Sequence, residues 1–302
     1  MIKHHGKTIL KSGKYKIISC QNCGFIHASP IPKQKDLDNY YKKTFYEETK
    51  PDFLNNYLED KQWIEMIYGE RLKTIERLLR QKSCSLLDIG SGLGFFLKIA
   101  KKRGWKILGV EPSNTASEYA NKNGLETINQ NFEKVAISAN LFDVISIINT
   151  FEHLRHPKSI LNKSYQLLKT GGILLLVVSN DFNPLQEIIL NESKGKPYWT
   201  DPLDHINYFS PKTLKKLVEK SGFKIIEHEG TFPLEIFYLM GFKYIGNEKL
   251  GRKIHGYRKK IELTLAKHGY SGIMKKIYKF LIDQDIGRQM VIFAQKGIDE
   301  KR

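Results

Sequence analysis

The chain of 302 residues is long enough for one large domain or two ordinary ones, and its formal net charge at pH 7 is +17. This charge favours an anionic partner, such as nucleic acid, a phosphorylated substrate or a membrane surface, although a solvated lysine-rich surface explains it equally well. The three cysteines are too few for a disulfide framework. The first residues contain no apolar signal region and no segment reaches the roughly 20 apolar residues that span a bilayer, so we expect a soluble, cytoplasmic protein.

Strand and helix patterns alternate between residues 86 and 180. Apolar runs predict strands at 86–90, 105–112, 125–129, 142–150 and 173–180. Helical spacing that ends at glycines predicts helices at 95–104, 115–124 and 158–172. Such alternation is typical of an α/β fold with a doubly wound, mostly parallel sheet.

The alternation of strand and helix patterns becomes less regular after residue 180. A helix is predicted at 210–222 with Ser210 as its N-cap, and strands are predicted at 223–230 and 288–296. Between the last two strands, residues 232–285 are helical in pattern, aromatic and basic. We interpret this segment as an insertion before the last strand.

A glycine-rich turn follows the first predicted strand, in the sequence LLDIGSGLG at residues 86–94. The glycine spacing differs from that of a dinucleotide fingerprint, and the turn lacks the Gly-Lys-Ser/Thr of a P-loop. The carboxylate of Asp88 suits a cation such as an α-amino group and would repel a pyrophosphate. Glu111 ends the second strand, where its two oxygens could accept both hydroxyls of a ribose. A ligand with an ammonium group and a ribose but no phosphate, such as S-adenosylmethionine, fits this turn.

Five segments in order resemble the class I S-adenosylmethionine-dependent methyltransferases: LLDIGSGLG (86–94), VEP (110–112), FDVI (142–145), NTFEHLRHP (149–157) and LLKTGG (167–172). The resemblance implies a seven-stranded sheet and S-adenosylmethionine as the cofactor. It assigns the glycines to the methionine moiety, Glu111 to the ribose, Asn131 and Phe132 to the adenine, and the backbone of Asn149 and Thr150 to the methionine half. The full set of expected cofactor-binding residues is Asp88, Gly90, Ser91, Gly92, Gly94, Glu111, Pro112, Asn131, Phe132, Asn149 and Thr150. Packing alone also explains glycines at such a turn, and a core position also explains Phe132.

Two histidines are candidates for a catalytic base. His153 follows Glu152 just past the fourth strand, at the edge where open α/β sheets bind ligands. His205 lies in PLDHINYFSPKTL (202–214), which resembles a segment of sugar- and small-molecule methyltransferases in which a histidine and an aromatic residue, here Tyr208, face the acceptor. Either histidine could remove a hydroxyl proton. His153 is also explained as a helix-start residue bonded to backbone, and Glu152 could orient it or assist a divalent ion.

The chain divides in this interpretation into an N-terminal arm at 1–46 and a methyltransferase domain at 47–302. The arm contains CQNCGFIHASPIP (20–32), which resembles the start of methyltransferases that begin with a zinc ribbon of two Cys-x-x-Cys pairs. Only one pair, Cys20 and Cys23, is present. His4 and His5 lie at about the distance of the missing pair, but adjacent residues rarely ligate one metal together. We therefore expect free thiols and no bound zinc.

The inserted segment carries Arg252 and Arg258, which could bind a phosphate as planar forks, although an amphipathic helical lid explains the segment equally well. We expect an O-methyltransferase acting on a sugar, a nucleotide-sugar or another small molecule. The basic charge leaves an RNA methyltransferase as an alternative, but the exit Asn149-Thr150-Phe151 lacks the Asn/Asp-Pro-Pro-aromatic motif of many base-methylating enzymes. A non-catalytic binding protein on the same fold is a further alternative.

Overall fold

The computed structural model describes residues 4–41, 52–193 and 197–297. The chain divides into two compact units, each made of separate segments. The first, here called the arm unit, comprises Met1–Pro30, Val178–Leu214 and His228–Val291. The second, here called the sheet unit, comprises Ile31–Val177, Lys215–Glu227 and Ile292–Arg302. The boundary expected at residue 46 lies outside the described residues.

A seven-stranded sheet has the order β10-β11-β8-β7-β4-β5-β6. Its strands are β4 (Ser85–Ile89), β5 (Lys106–Val110), β6 (Thr127–Ile128), β7 (Phe142–Ile148), β8 (Leu168–Ser179), β10 (Phe223–Gly230) and β11 (Gln289–Lys296). Strand β4 pairs in parallel with both β5 and β7, β5 pairs in parallel with β6, and β7 pairs in parallel with β8. The predicted doubly wound, mostly parallel α/β fold is confirmed.

The centre of β8 shows why such strands consist of apolar residues on both faces. Residues 173–178 are all fully buried, as expected when helices cover both sides of a parallel sheet.

The helices along the chain are α1 (Gln34–Asn39), α2 (Phe53–Leu79), α3 (Phe95–Lys102), α4 (Asn114–Lys122), α5 (Pro157–Leu167), α6 (Pro184–Ser193), α7 (Pro211–Lys220), α8 (Glu235–Leu239), α9 (Glu248–Lys267) and α10 (Ser271–Asp283). No described helix is both long enough and apolar enough to cross a membrane.

Helix α2 is absent from the sequence-based prediction although it is the longest helix described, with 27 residues. Most of its described side chains are half-buried or exposed, so its apolar stripe is weak in the sequence. By contrast, α7 begins where predicted, since the backbone N–H of Thr213 donates to the Ser210 hydroxyl at 3.3 Å. Helices α8, α9 and α10 lie within the segment 232–285 that was predicted to be helical.

The arm unit contains a second, smaller sheet with the strand order β1-β2-β3-β9. These strands are β1 (Gly6–Ser12), β2 (Tyr15–Cys20), β3 (Ile26–Ser29) and β9 (Asn207–Tyr208). All three pairings are antiparallel. The short strand β9 therefore joins residues near 207 to the N-terminal strands, which the sequence alone did not indicate.

Candidate active site

The glycine-rich turn connects the end of β4 to the start of α3. Gly90 has a φ of +71°, and a Cβ placed on it would lie 2.3 Å from Oγ1 of Thr150. Its backbone N–H donates to the carbonyl of Val110 at 2.8 Å. Only glycine fits here, because the backbone is left-handed and the neighbouring strand end approaches it closely.

Glu111 fastens this turn to the next strand. Its Oε2 accepts a hydrogen bond from the N–H of Gly92 and its Oε1 accepts one from the N–H of Ser113, both at 2.9 Å. The side chain is buried, and this burial raises the pKa of Glu111 while the two N–H groups oppose the rise. Each carboxylate oxygen has capacity for a further hydrogen bond, so the group is held in place and still able to accept ribose hydroxyls.

Asp88 is a second buried carboxylate, one residue before the end of β4. The Ser146 hydroxyl donates to its Oδ1 at 2.5 Å. Burial raises the pKa of Asp88 to about 7, the Ser146 bond works against this rise, and the nearby Glu111 carboxylate adds to it. A cation beside Asp88 would restore its ionised form, so the site suits an ammonium group.

Ser91 supplies a further polar group in the turn. Its hydroxyl oxygen is buried and has no hydrogen-bond partner among the described residues. A buried hydroxyl of this kind is costly unless a ligand or water completes it.

The residues expected near the adenine lie just after β6. Asn131 caps a short 3₁₀ turn at Phe132–Lys134, and its Oδ1 accepts from the N–H of Glu133 at 3.0 Å. Phe132 is buried, and the ammonium nitrogen of Lys163 lies 4.6 Å from its ring centroid. The contact of Asn131 is local to the turn and that of Phe132 is with a residue of α5, and neither tests the adenine assignment, which stays a prediction.

The end of β7 carries the residues expected near the methionine half. Asn149 adopts a φ of +50°, and the Thr150 hydroxyl donates to the carbonyl of Ile148 at 3.1 Å. On the other side of the turn, Pro112 immediately precedes Ser113, the N-cap of α4. These residues and the glycine turn all belong to the sheet unit.

His153 also lies in the sheet unit, in the 3₁₀ turn Phe151–His153. Its Nε2 is 3.1 Å from the backbone oxygen of Asn149, and its ring packs edge-on to Tyr41. Glu152 is buried, with 1% of its surface exposed. The contact of His153 with backbone is the one expected of a helix-start residue.

His205 has a different environment, in the arm unit. Its Nδ1 lies 2.8 Å from Oδ2 of Asp181. A carboxylate can only accept, so Nδ1 carries the proton and Nε2 keeps its lone pair. Asp181 is 6% and His205 20% exposed, so the acid is sheltered while the imidazole reaches the surface.

Sequence analysis missed Asp181, which follows β8 by two residues. The available signal was its place just after a fully apolar strand, where open α/β sheets present their functional groups. Its partner is 24 residues further along the chain, so no short motif joins the two.

Tyr208 lies on β9 and is almost fully buried. Its ring centroid is 6.3 Å from that of His205, and its ring packs edge-on against Phe182. Burial, reinforced by Asp181, raises the pKa of Tyr208, so its hydroxyl stays protonated. This oxygen has no hydrogen-bond partner among the described residues, so it is able to donate to an added ligand.

The two arginines of the inserted segment lie on α9 and differ in exposure. Arg258 is buried at 6% exposure and its Nη1 donates to the carbonyl of Phe232 at 3.4 Å. Arg252 is half-buried. The contact of Arg258 is part of the packing of the helical segment, and the phosphate-binding role of both arginines stays a prediction.

A family model described as a methyltransferase domain matches residues 63–228, more than half of the chain. The chain belongs to this methyltransferase family. The match includes the glycine turn, the Glu111 carboxylate and the His205 segment. S-adenosylmethionine is therefore the cofactor of this methyltransferase, a class I enzyme dependent on that compound.

The chain is also similar to two other proteins in sequence, and it shares its fold with a solved structure. The methyltransferase is 26% identical over 242 residues to an uncharacterised protein of Methanocaldococcus jannaschii, covering 80% of this chain and 96% of that protein. It is 27% identical over 180 residues to a ubiquinone biosynthesis O-methyltransferase of Coxiella burnetii, covering 55% of this chain and 75% of that protein. A crystal structure of an S-adenosylmethionine-dependent methyltransferase from Archaeoglobus fulgidus has the same fold, with a TM-score of 0.51 at 18% identity, covering 80% of this chain and 99% of that chain.

The residues of the glycine turn fit this cofactor. Asp88 is a buried carboxylate whose pKa is raised by burial, and Ser91 is a buried hydroxyl without a partner in the described structure. Glu111 is rigidly held with hydrogen-bonding capacity to spare. An amino acid ammonium group and a ribose would satisfy these groups.

Proposed function

We propose that this methyltransferase methylates a hydroxyl group of a small molecule, with His205 as the general base. The observation that carries the proposal is the pairing of His205 with the sheltered carboxylate of Asp181 at 2.8 Å. A hydroxyl acceptor must lose its proton during transfer, and an imidazole titrates near neutral pH. Similarity to ubiquinone biosynthesis O-methyltransferases supports a hydroxyl acceptor.

When bound, S-adenosylmethionine supplies an electrophilic methyl group on a positively charged sulfur. His205 would accept the proton of the acceptor hydroxyl at Nε2. The bound cofactor would supply the methyl group to the acceptor oxygen and keep the electron pair of the former carbon–sulfur bond on its sulfur. Asp181 stabilises the imidazolium that results, and the protonated hydroxyl of Tyr208 donates a hydrogen bond to the acceptor.

In the sheet unit, Asp88 and Glu111 would hold the ammonium and ribose ends of the cofactor, with Gly90, Gly92 and Gly94 leaving room for its methionine half. Asn131 and Phe132 would flank the adenine. This assignment rests on the buried carboxylates and on the resemblance of the turn to those of class I methyltransferases.

For the acceptor we propose a sugar, a nucleotide-sugar or a similar small molecule in the cytoplasm. The net charge of +17 and the half-buried Arg252 on α9 support an anionic group on this acceptor. The same charge suits RNA, which is the competing outcome of the test below.

The test is turnover of the full chain with a panel of nucleotide-sugars, hydroxylated aromatic compounds and RNAs. We expect His205→Asn to lower kcat by about 10²–10⁴-fold, and Asp181→Asn to lower it by a smaller factor. Both variants should bind the cofactor with unchanged affinity in calorimetry. His268→Asn, at the exposed end of α9, is the matched control and should behave as wild type.

Loss of activity in His153→Asn with full activity in His205→Asn would show that the base is misassigned. Turnover of RNA alone, with affinity that weakens steeply as salt rises, would replace the small-molecule acceptor by nucleic acid.

A further inference from the structure

Four metal-ligating side chains meet in the arm unit. His4, Cys20, Cys23 and His27 each offer one nitrogen or sulfur atom, and these atoms all lie within 4.8 Å of one another. We propose that these four side chains bind one structural zinc ion.

The three distances from His4 to the other ligand atoms are those expected around a tetrahedral zinc ion. Nδ1 of His4 is 3.2 Å from Nε2 of His27, 3.3 Å from Sγ of Cys23 and 3.8 Å from Sγ of Cys20. Zinc bonds of about 2.0–2.1 Å to nitrogen and about 2.3 Å to sulfur place tetrahedral ligand atoms roughly 3.3–3.8 Å apart. The three distances from His4 match this range to within about 0.1 Å, and all four atoms lie within 4.8 Å of one another.

The hydrogen bond on the far side of His27 supports the same assignment. Its Nδ1 lies 2.8 Å from the carbonyl oxygen of Ala28, so Nδ1 carries the proton and Nε2 presents its lone pair to the cluster. A backbone acceptor on the second ring nitrogen is the usual support of a zinc-binding histidine. His27 is almost fully buried, so its ring is held in this orientation.

The turn that carries the two cysteines is built as a compact loop. Cys20 ends β2, and its backbone N–H donates to the Phe25 carbonyl at 3.1 Å. Gly24 adopts a φ of +77°, and its N–H donates to the Cys20 carbonyl at 2.9 Å. This geometry directs Cys20 and Cys23 toward a common point, as in a metal-binding Cys-x-x-Cys turn.

Strand β1 brings His4 to the same point. Gly6 pairs with Cys20 in the sheet, and a Cβ on Gly6 would lie only 1.9 Å from the carbonyl oxygen of Ser19. Glycine therefore permits the close approach of the two strands immediately after His4. The neighbouring His5 is exposed, and its carbonyl accepts from the N–H of Gln21 at 3.0 Å, so its side chain is not one of the four.

The sequence disfavoured zinc because a second Cys-x-x-Cys pair is absent. The fold supplies the missing ligands from two places: His4, sixteen residues before Cys20, and His27, four residues after Cys23. Two cysteines and two histidines form a complete set for a tetrahedral zinc site.

Four protein ligands leave no open position, so the ion has a structural role. It ties the start of β1 to the turn after β2 and to β3. Strand β3 in turn pairs with β9, where His27 lies opposite Asn207 and Ile26 opposite Tyr208. The zinc therefore stabilises the small sheet that holds Tyr208 in place.

The proposal is tested by metal analysis of the full-length chain, without a polyhistidine tag, after reconstitution with zinc. We expect one zinc per chain. Cobalt in place of zinc should show the visible bands of a tetrahedral ion and charge-transfer absorption from cysteine sulfur. His4→Ala, at a half-buried N-terminal position, and Cys23→Ser should weaken zinc affinity by more than about 100-fold, since the loss of a supporting residue alone costs about 10–100-fold.

Two matched controls separate ligation from a general effect. His5→Ala removes the adjacent histidine, and Cys84→Ser removes the cysteine outside the cluster; both should keep one zinc per chain. A wild-type chain that binds neither zinc nor tetrahedral cobalt would overturn the proposal. Loss of metal in His5→Ala to the same extent as in His4→Ala would also overturn it.

Discussion

Two turns of this methyltransferase each follow a β-strand and contain a glycine with positive φ, yet they are held by different means. The turn at Gly90 is braced by carboxylate and backbone groups close by in the sheet unit, through Glu111 and the N–H of Gly92. The turn at Gly24 holds two cysteines, and its proposed partners come from His4 and His27. The first turn therefore depends on buried carboxylates, whereas the second depends on the proposed metal ion.

The comparison shows which kind of site can be recognised from a single sequence. The glycine turn places its ligands within one motif and at the end of the next strand, so order and spacing identify it. The cysteine turn needs a histidine near the N-terminus and another on β3, and only strand pairing brings these together. Similarly, Asp181 and His205 are 24 residues apart in the chain, and only the fold brings them into contact.

The largest predicted effect concerns the buried carboxyl groups of the glycine turn. The free energy of unfolding should depend on pH because of Asp88. The folded chain keeps this proton up to about pH 7, because burial raises the pKa above its usual value of 3.8, whereas the unfolded chain releases it near pH 4. Stability without cofactor should therefore fall as pH rises from 4 to 7, by up to about 4 kcal/mol relative to Asp88→Asn.

Chemical denaturation of both proteins at a series of pH values measures this difference. Parallel pH curves for wild type and Asp88→Asn would show that the buried carboxylate does not hold a proton in the folded state. The glycine turn would then lack the buried carboxyl group with a raised pKa that distinguishes it from the cysteine turn.

A smaller effect on the free energy of unfolding is expected when each of the two glycines is replaced by alanine. Gly90→Ala should lower the free energy of unfolding by about 3 kcal/mol, because the left-handed backbone and the collision with Thr150 act together. Gly24→Ala should cost only about 1 kcal/mol, since its φ is positive but no atom lies within 4 Å of the added Cβ. Thermal or denaturant unfolding measures both, and equal losses would contradict the close approach at Gly90.

The sequence predicted the strands of the large sheet along the chain and the glycine turn, because both arise from local periodicity and spacing. It did not predict β1, β2 and β3 or the long helix α2, since short strands and half-buried helices carry weak apolar patterns. Arg258 was predicted as a fork for a phosphate, and its burial and its contact with the Phe232 carbonyl could not be inferred from the sequence. Long-range strand pairing and burial determine these features, and neither can be inferred from a short stretch of residues.

The most direct test of the account is calorimetric titration of the purified chain with S-adenosylmethionine and with its demethylated product. We predict saturable binding of one molecule per chain, weakened about 10–100-fold in Glu111→Ala, because this variant removes the ribose acceptor and leaves two backbone N–H groups unpaired. Glu118→Ala, an exposed glutamate on α4, should bind as wild type. Absence of binding heat in the wild type, or equal affinity in Glu111→Ala, would contradict the account.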